Sequence, residues 1–235
     1  MSLKKAMIFA AGRGERMRPL TDACPKPLLE VGGKPLIEWQ IERLAQAGFQ
    51  TIVINHAWLG ERLEAALGDG SRWQVRLRYS PEPEALETAG GIAKALPLLE
   101  DGGVSEVFAA IAGDVYTDFD YATLHARADT LKAHAEPGMH LVMVPNPVFH
   151  PNGDFGLADG VLSLDSKPRL TFGSIGLYDT RMFRDLPHGT RRALSPYYRD
   201  TIARGLASGE LYEGLWENVG TPGQLQELDR RLRTR

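Results

Sequence analysis

Apolar and polar positions along the chain predict strands alternating with helices. Residues 6–11, Ala-Met-Ile-Phe-Ala-Ala, form a short apolar run ending at Gly12, as in a strand buried on both faces. Over 36–48, Leu36, Ile37, Ile41, Leu44 and Ala45 recur at helical spacing, with Gly48 as the stop. Residues 51–55, Thr-Ile-Val-Ile-Asn, are β-branched and predict a second strand. An amphipathic helix is expected over 59–67, ended by Gly68. The alternation in 75–80 predicts a strand with one solvated face, and Thr88 is placed to cap a helix running to about Leu99. Buried strands are expected over 107–115 and 139–145.

The first two-thirds therefore reads β-α-β-α-β-α-β. That order implies an α/β fold with a mainly parallel, twisted sheet flanked by helices. The pattern then changes. Residues 152–179 hold short β-like runs between glycine turns and predict hairpins that extend the sheet edge. Helices are expected over 194–209 and 222–235. No linker, repeat or low-complexity segment divides the chain, so a single domain over 1–235 is expected, with parts at about 1–118 and about 119–235.

Composition narrows the function. The net charge of −3 does not indicate a nucleic-acid or anionic-membrane surface. The single cysteine, Cys24, excludes an internal disulfide and a cysteine-rich metal site, and reads as an incidental thiol. The apolar run at 6–11 is too short for a secretory signal, and Arg13, Glu15 and Arg16 follow at once. No segment approaches the roughly 20 apolar residues of a membrane span. A cytoplasmic protein is expected.

The chemistry concentrates after the first strand, where ligands of parallel α/β sheets bind. Neither a dinucleotide fingerprint nor a Walker A motif fits, because both need glycine where Met17 stands. Gly12 and Gly14 still permit close backbone approach to phosphate. Arg13, Arg16 and Arg18 add forked cations suited to phosphate oxygens. Pro25 and Pro27 restrict the backbone around Lys26, which makes a preorganised point charge. A solvated basic loop with structural prolines is the other reading of these residues. Lys26, in a loop, is not expected to belong to the core. Asp114 ends a hydrophobic strand and is placed to hold a hard cation such as Mg2+ beside phosphates; the alternative is a turn aspartate, a role that suits Asp118 and Asp120 better. Asn218 precedes a Val-Gly-Thr-Pro turn leading into the last helix, with Pro222 near its start. Trp58, Trp73 and Trp216 are expected to pack at the core or rim, and the six histidines lack metal-ligand spacing.

Together these pieces resemble the sugar-1-phosphate nucleotidyltransferase family. Its pattern, A-G-x-G-x-R-M-x-P-L-T followed by P-K-P-L, is met by Ala11 to Thr21 and by Pro25 to Leu28. Gly113-Asp114-Val115 and Val219-Gly220-Thr221-Pro222 match in order. The resemblance implies a Rossmann-like nucleotide-diphospho-sugar transferase fold, with a nucleotide-binding part first and a β-hairpin extension forming the sugar-binding side. It implies that Ala11, Gly12, Arg13 and Gly14 wrap the nucleotide phosphates, that Arg16 and Lys26 are the catalytic cations, and that Asp114 and Asn218 hold Mg2+. Residues 85–91 resemble the base-contacting segment L-G-T-A-G; Thr88 matches, and Glu87 stands where glycine is usual. Residues 154–160 resemble a sugar-facing segment, which implicates Asp154 and Gly156. Lys167-Pro168 resembles an E-K-P segment whose lysine meets the sugar phosphate, with Ser166 replacing the glutamate.

Residues 54–73 and 79–99 are most similar to the branch that uridylylates N-acetylmuramate 1-phosphate in cell-wall recycling. The partners implied are UTP and that sugar phosphate, in a monomer or small homo-oligomer. Mannose-1-phosphate guanylyl transfer is the alternative, and a nucleotide-sugar sensor without turnover is a reading of a different class. In the implied reaction a phosphate oxygen attacks the α-phosphorus of the nucleotide. The phosphate monoester is already largely dianionic at neutral pH, so no general base is required. Positioning and charge neutralisation remain as the protein's task.

Overall fold

The fold is seen in a computed structural model, which describes residues 3–102, 104 and 106–234. The elements are β1 (Lys5–Phe9), α1 (Leu20–Ala23), β2 (Glu30–Val31), β3 (Lys34–Pro35), α2 (Leu36–Gln46), β4 (Thr51–His56), α3 (Gly60–Leu67), β5 (Arg76–Pro81) and α4 (Glu87–Leu99). There follow β6 (Val107–Ala112), β7 (Val115–Thr117), α5 (Leu124–Lys132), β8 (Met139–Val144), β9 (Phe155–Ala158), β10 (Val161–Ser163) and β11 (Arg169–Asp179). The chain closes with α6 (Ser195–Ala203), β12 (Ala207–Leu211), β13 (Trp216–Asn218) and α7 (Pro222–Arg233).

The main sheet has the order β5-β4-β1-β6-β11-β8-β12-β10-β9. Strands β5, β4, β1 and β6 are parallel, as the alternating pattern implies. The unbroken run of parallel pairs stops there, and only β8 with β12 pairs in parallel beyond it. The long β11 enters antiparallel between β6 and β8, so the glycine-rich region does more than lengthen an edge. Ile175, Leu177 and Tyr178 of β11 are buried, which is why this strand takes an interior place. The β9–β10 hairpin does lie at the sheet's end, and β9 pairs back onto the start of β11. The second half thus closes a ring through β8, β12, β10 and β9.

Alternate residues of the central strands feed two cores. Ile8, Ile52, Ile54 and Ile111 face α2, α3 and α5; Met7, Val53, Phe108 and Ala110 face α4 and α6. Burying both faces of a strand is the reason these runs read as continuously apolar. A third cluster joins Met17 of the opening loop to Leu36, Tyr116, Val219, Leu225 and Leu228. It ties that loop to the turn before α7 and to α7 itself. Asp229 of α7 also accepts the Gly32 N–H at 2.8 Å.

Three local expectations need correction. The helix expected over 194–209 ends at Ala203, and Ala207–Leu211 forms β12 beside β8. The strand expected over 107–115 ends at Ala112, and Val115–Thr117 forms the separate β7, paired with β13; β7–β13 and β2–β3 carry too few residues to show a period. Thr88 does not cap α4; the Ala89 and Gly90 N–H groups donate instead to the Arg192 carbonyl, at 3.0 and 3.1 Å. A neighbouring loop therefore satisfies the helix start, and Thr88 is left to face the cavities described below.

Candidate functional site

The carboxyl ends of β1, β4 and β6 open into a cavity of about 340 Å³. The segments Phe9–Gly12, at the end of β1, and Ala112–Asp114, at the end of β6, form its floor; Lys26, Pro27, Asn55, Ala85, Glu87 and Thr88 make its walls. Glycine is needed at one of these places and once in the adjoining loop. A Cβ on Gly113 would stand 2.8 Å from the Phe9 carbonyl oxygen, which accepts the Gly113 N–H at 2.9 Å. A Cβ on Gly14, whose φ is +69°, would meet Thr21 Cγ2 at 3.0 Å and Lys26 Cβ at 3.1 Å. At Gly12 a Cβ would meet nothing within 4 Å, so the missing side chain leaves the floor open.

Lys26 is only 9% exposed, because its stem packs against the Gly14 turn. The expectation of a non-core lysine is corrected on that ground. Its Nζ lies 2.5 Å from Asp114 Oδ2. Asp114 meets the Asn218 strand through the backbone: β7 and β13 place Asn218 opposite Val115, and the Val219 N–H donates to the Asp114 carbonyl at 2.9 Å. Arg16 reaches the same turn, since a Cβ on Gly220 would stand 3.3 Å from its Nη2. Lys26 and Asp114 thus line the cavity, while Arg16 and Asn218 stand on the adjoining turn and strand without lining it.

A second recess of about 160 Å³ adjoins the first and shares Phe9, Thr88 and Ala112 with it. Ala110, Phe172, Ser174, Tyr178 and Tyr198 complete it. The Tyr178 and Tyr198 hydroxyls are 3.0 Å apart, and burial pushes both phenols above their ordinary range. With Thr88 and Ser174 they set polar groups among Phe9, Ala110, Ala112 and Phe172. Strand β11 is bulged between Phe172 and Gly176, and Ser174 has φ 57°.

The nucleotidyl transferase family matches residues 5–235. The chain belongs to that family. It is 50% identical to an N-acetylmuramate alpha-1-phosphate uridylyltransferase of Neisseria meningitidis, over 95% of this transferase and 96% of the relative. A protein of the same description from Caulobacter vibrioides is 33% identical over 97% of both chains. Among solved structures, a UDP-glucose pyrophosphorylase complexed with UDP-glucose superposes with a TM-score of 0.77, at 17% identity and over 99% of both chains. That likeness shows the nucleotide-diphospho-sugar transferase fold.

Of the residues singled out in the sequence of the transferase, Ala11, Gly12, Lys26, Thr88 and Asp114 line the first cavity. Arg13 stacks over Trp58 at 4.4 Å, and the indole N–H is held by the Thr21 carbonyl. On the hairpin side, Asp154 Oδ2 accepts the Phe172 N–H at 2.8 Å, and Oδ1 lies 3.1 Å from His150 Nε2. Asp154 thereby fixes the Phe172 wall of the second recess. A Cβ on Gly156 would meet the Ser166 carbonyl at 2.6 Å, so glycine lets β9 approach the Ser166–Lys167 turn. Lys167 itself is exposed.

Asp120 caps the turn at Ala122 as expected, while Asp118 accepts the Leu215 N–H at 2.8 Å and the Tyr212 hydroxyl. Trp216 donates to the Gly173 carbonyl at 2.8 Å, and Trp73 packs under Arg72. Sequence reasoning missed Asn55, Glu82, Phe172, Tyr178 and Tyr198. A polar Asn55 at the carboxyl end of a β-branched strand was the available signal for the first; the others become neighbours only through tertiary pairing.

Among the described residues no helix is long and apolar enough to cross a membrane, and no cluster of three His, Cys, Asp or Glu side chains forms a metal site.

Proposed function

We propose that this transferase moves a uridylyl group from UTP to N-acetylmuramate 1-phosphate and releases pyrophosphate. The observation that carries the choice of substrates is the 50% identity to the Neisseria relative across nearly the whole of both chains. The first cavity takes the nucleotide and the second recess takes the sugar. The chain accordingly divides near residue 118 into a nucleotide part and a sugar part.

The reaction is an in-line displacement at the α-phosphorus. The floor amides of Ala11 and Gly12 orient the nucleotide phosphates, and Arg16 and Lys26 neutralise charge that grows on them. Thr88 lies between the two recesses and contacts both substrates. Asp154 and Gly156 hold the sugar wall, and Lys167 meets the sugar phosphate. Arg13 and Gly14 shape the phosphate loop.

The donor set also fits a magnesium ion. Lys26 occupies only Oδ2 of Asp114, and Oδ1 takes no hydrogen bond among the described residues. Asn218 adds an amide oxygen on the adjoining strand. Mg2+ prefers oxygen ligands and keeps several waters, so one carboxylate, one amide and the nucleotide phosphates suffice. When bound, the ion would supply charge neutralisation at the phosphates.

The test is a matrix of nucleoside triphosphates against sugar 1-phosphates, read by pyrophosphate release. UTP with N-acetylmuramate 1-phosphate should exceed GTP with mannose 1-phosphate in kcat/KM by at least about tenfold, or about 1.4 kcal/mol in transition-state binding. The reverse order would replace this assignment with guanylyl transfer, and no turnover with any pair would leave a nucleotide-sugar sensor.

A further inference from the structure

Glu82 is 4% exposed, and none of the steps above uses it. It belongs to a hydrogen-bonded relay that runs behind the first cavity, which Ala10 and Asn55 line. The Ala10 N–H, at the floor, donates to Asn55 Oδ1 at 3.1 Å. Asn55 Nδ2 donates to Glu82 Oε1 at 2.7 Å. Glu82 Oε2 accepts the Leu86 N–H at 2.8 Å, between Ala85 and Glu87 of the wall. Asn55 is 2% exposed. Its amide orientation follows from its partners, because a backbone donor faces the oxygen and a carboxylate faces the nitrogen. Helix α4 closes over the pair at Gly91, where a Cβ would stand 2.8 Å from both Asn55 Nδ2 and Glu82 Oε1.

We propose that Asn55 and Glu82 are positioning residues for the nucleotide. They fix the separation between the floor amides after β1 and the Ala85–Thr88 segment, whose Ala85, Glu87 and Thr88 line the cavity, so that phosphates and base meet a preformed cleft. The inference rests on the reading of this cavity as the nucleotide site. Both oxygens of Glu82 and the oxygen of Asn55 are engaged within the relay. The pair therefore acts on the ligand through the backbone it holds. A buried network whose acceptor oxygens are all engaged is rigid, and rigidity lowers the ordering cost of binding.

The polarity of the relay supplies its test. In Asn55→Asp an acceptor faces Glu82 Oε1. In Glu82→Gln a donor faces either Asn55 Nδ2 or the Leu86 N–H. The double swap restores every contact with the same net charge: Asp oxygens accept from Ala10 and from the Gln amide, and the Gln oxygen accepts from Leu86. Kd for UTP, measured by calorimetry well below the melting temperatures, should rise about tenfold or more in each single variant and return to within about threefold in the double. Turnover at saturating UTP should change much less than KM for UTP in the single variants.

Unaltered UTP affinity in folded single variants would overturn the proposal, whatever their melting temperatures. So would a double variant that is unfolded, or folded but still weak. If the single variants do not fold, amide exchange in the unmutated protein decides. UTP must slow exchange at Ala10 and Leu86 together, and protection of one alone overturns the coupling. An unmutated protein that binds no UTP would instead overturn the functional reading. The same comparison would then be made with GTP.

Discussion

Lys26 and Asp114, 88 residues apart in sequence, meet at 2.5 Å where the loop after β1 crosses the end of β6. The lysine side chain is 11% exposed and the aspartate 30%. Removing one partner of a buried pair leaves an uncompensated charge. Lys26→Ala should lower kcat by roughly 10² or more, the scale of one strong transition-state donor. It should also cost about 1–3 kcal/mol of stability, less than full burial would give because Asp114 is partly solvated. Lys26→Met keeps the stem against Gly14 and Thr21 and should recover part of that stability with none of the activity. Initial rates and thermal melts of both variants decide it. Normal turnover in either folded variant removes Lys26 from the catalytic pair.

The parallel half of the sheet was legible because burial on two faces writes itself into consecutive apolar residues such as Met7, Ile8, Ile52 and Val53. The phosphate loop was legible because Gly12, Gly14 and the bracketed Lys26 lie within a short stretch. The place of β11 was not. Its Gly173, Ser174 and Gly176 imitate a turn, and only pairing with β6 and β8 shows why small residues and a bulge are tolerated there. The Asn55–Glu82 relay and the Tyr178–Tyr198 pair were hidden for a different reason. Each joins residues from separate elements, and neither side chain alone carries a recognisable chemistry.

Glu87 occupies φ 60° at the start of α4, in the left-handed region that favours glycine. That conformation accounts for the glycine usual in the family segment. The Glu87–Arg191 contact at 3.1 Å joins two largely exposed side chains and offsets little of the strain. In an ordinary helix interior, glycine is about 0.5–1 kcal/mol worse than alanine. Here the order should invert, with Glu87→Gly more stable than Glu87→Ala by about 0.5–1 kcal/mol. Urea denaturation of the two variants measures the difference. The ordinary order would show that the wall relaxes out of this conformation.

Cys24 is half-buried, and burial pushes its thiol above the ordinary range; Arg62 opposes the shift and Glu30 adds to it. The thiolate is the reactive form, so alkylation by iodoacetamide should be slow at neutral pH and reach half its maximal rate only above about pH 8.5, the midpoint for a free thiol. Cys24→Ser should leave kcat/KM unchanged. Fast labelling at pH 7, or loss of turnover in the serine variant, would give Cys24 a role in the reaction that its surroundings do not suggest.

The pairing of β7 with β13 brings Asn218 beside the segment that carries Asp114, yet Asp114 and Asn218 differ in what they offer a cation. Asp114 supplies a charge, with one oxygen already shared with Lys26. Asn218 supplies only a carbonyl dipole. Asp114→Ala should therefore nearly abolish turnover at any magnesium concentration, since it removes both the charge and the partner of Lys26. Asn218→Ala should keep measurable activity that needs more magnesium. Asn218→Asp should keep activity and lower the magnesium concentration for half-maximal rate. A second carboxylate strengthens attraction for a hard cation, and the Lys26 ammonium and Arg16 guanidinium temper its repulsion from Asp114. The experiment is a magnesium titration of initial rate for the three variants at saturating substrates, with Mn2+ binding to the nucleotide complex as a readout independent of turnover. An Asn218→Ala variant that titrates like the unmutated protein in both measurements would leave Asn218 as a strand residue before α7 and Asp114 as the one protein ligand of the two.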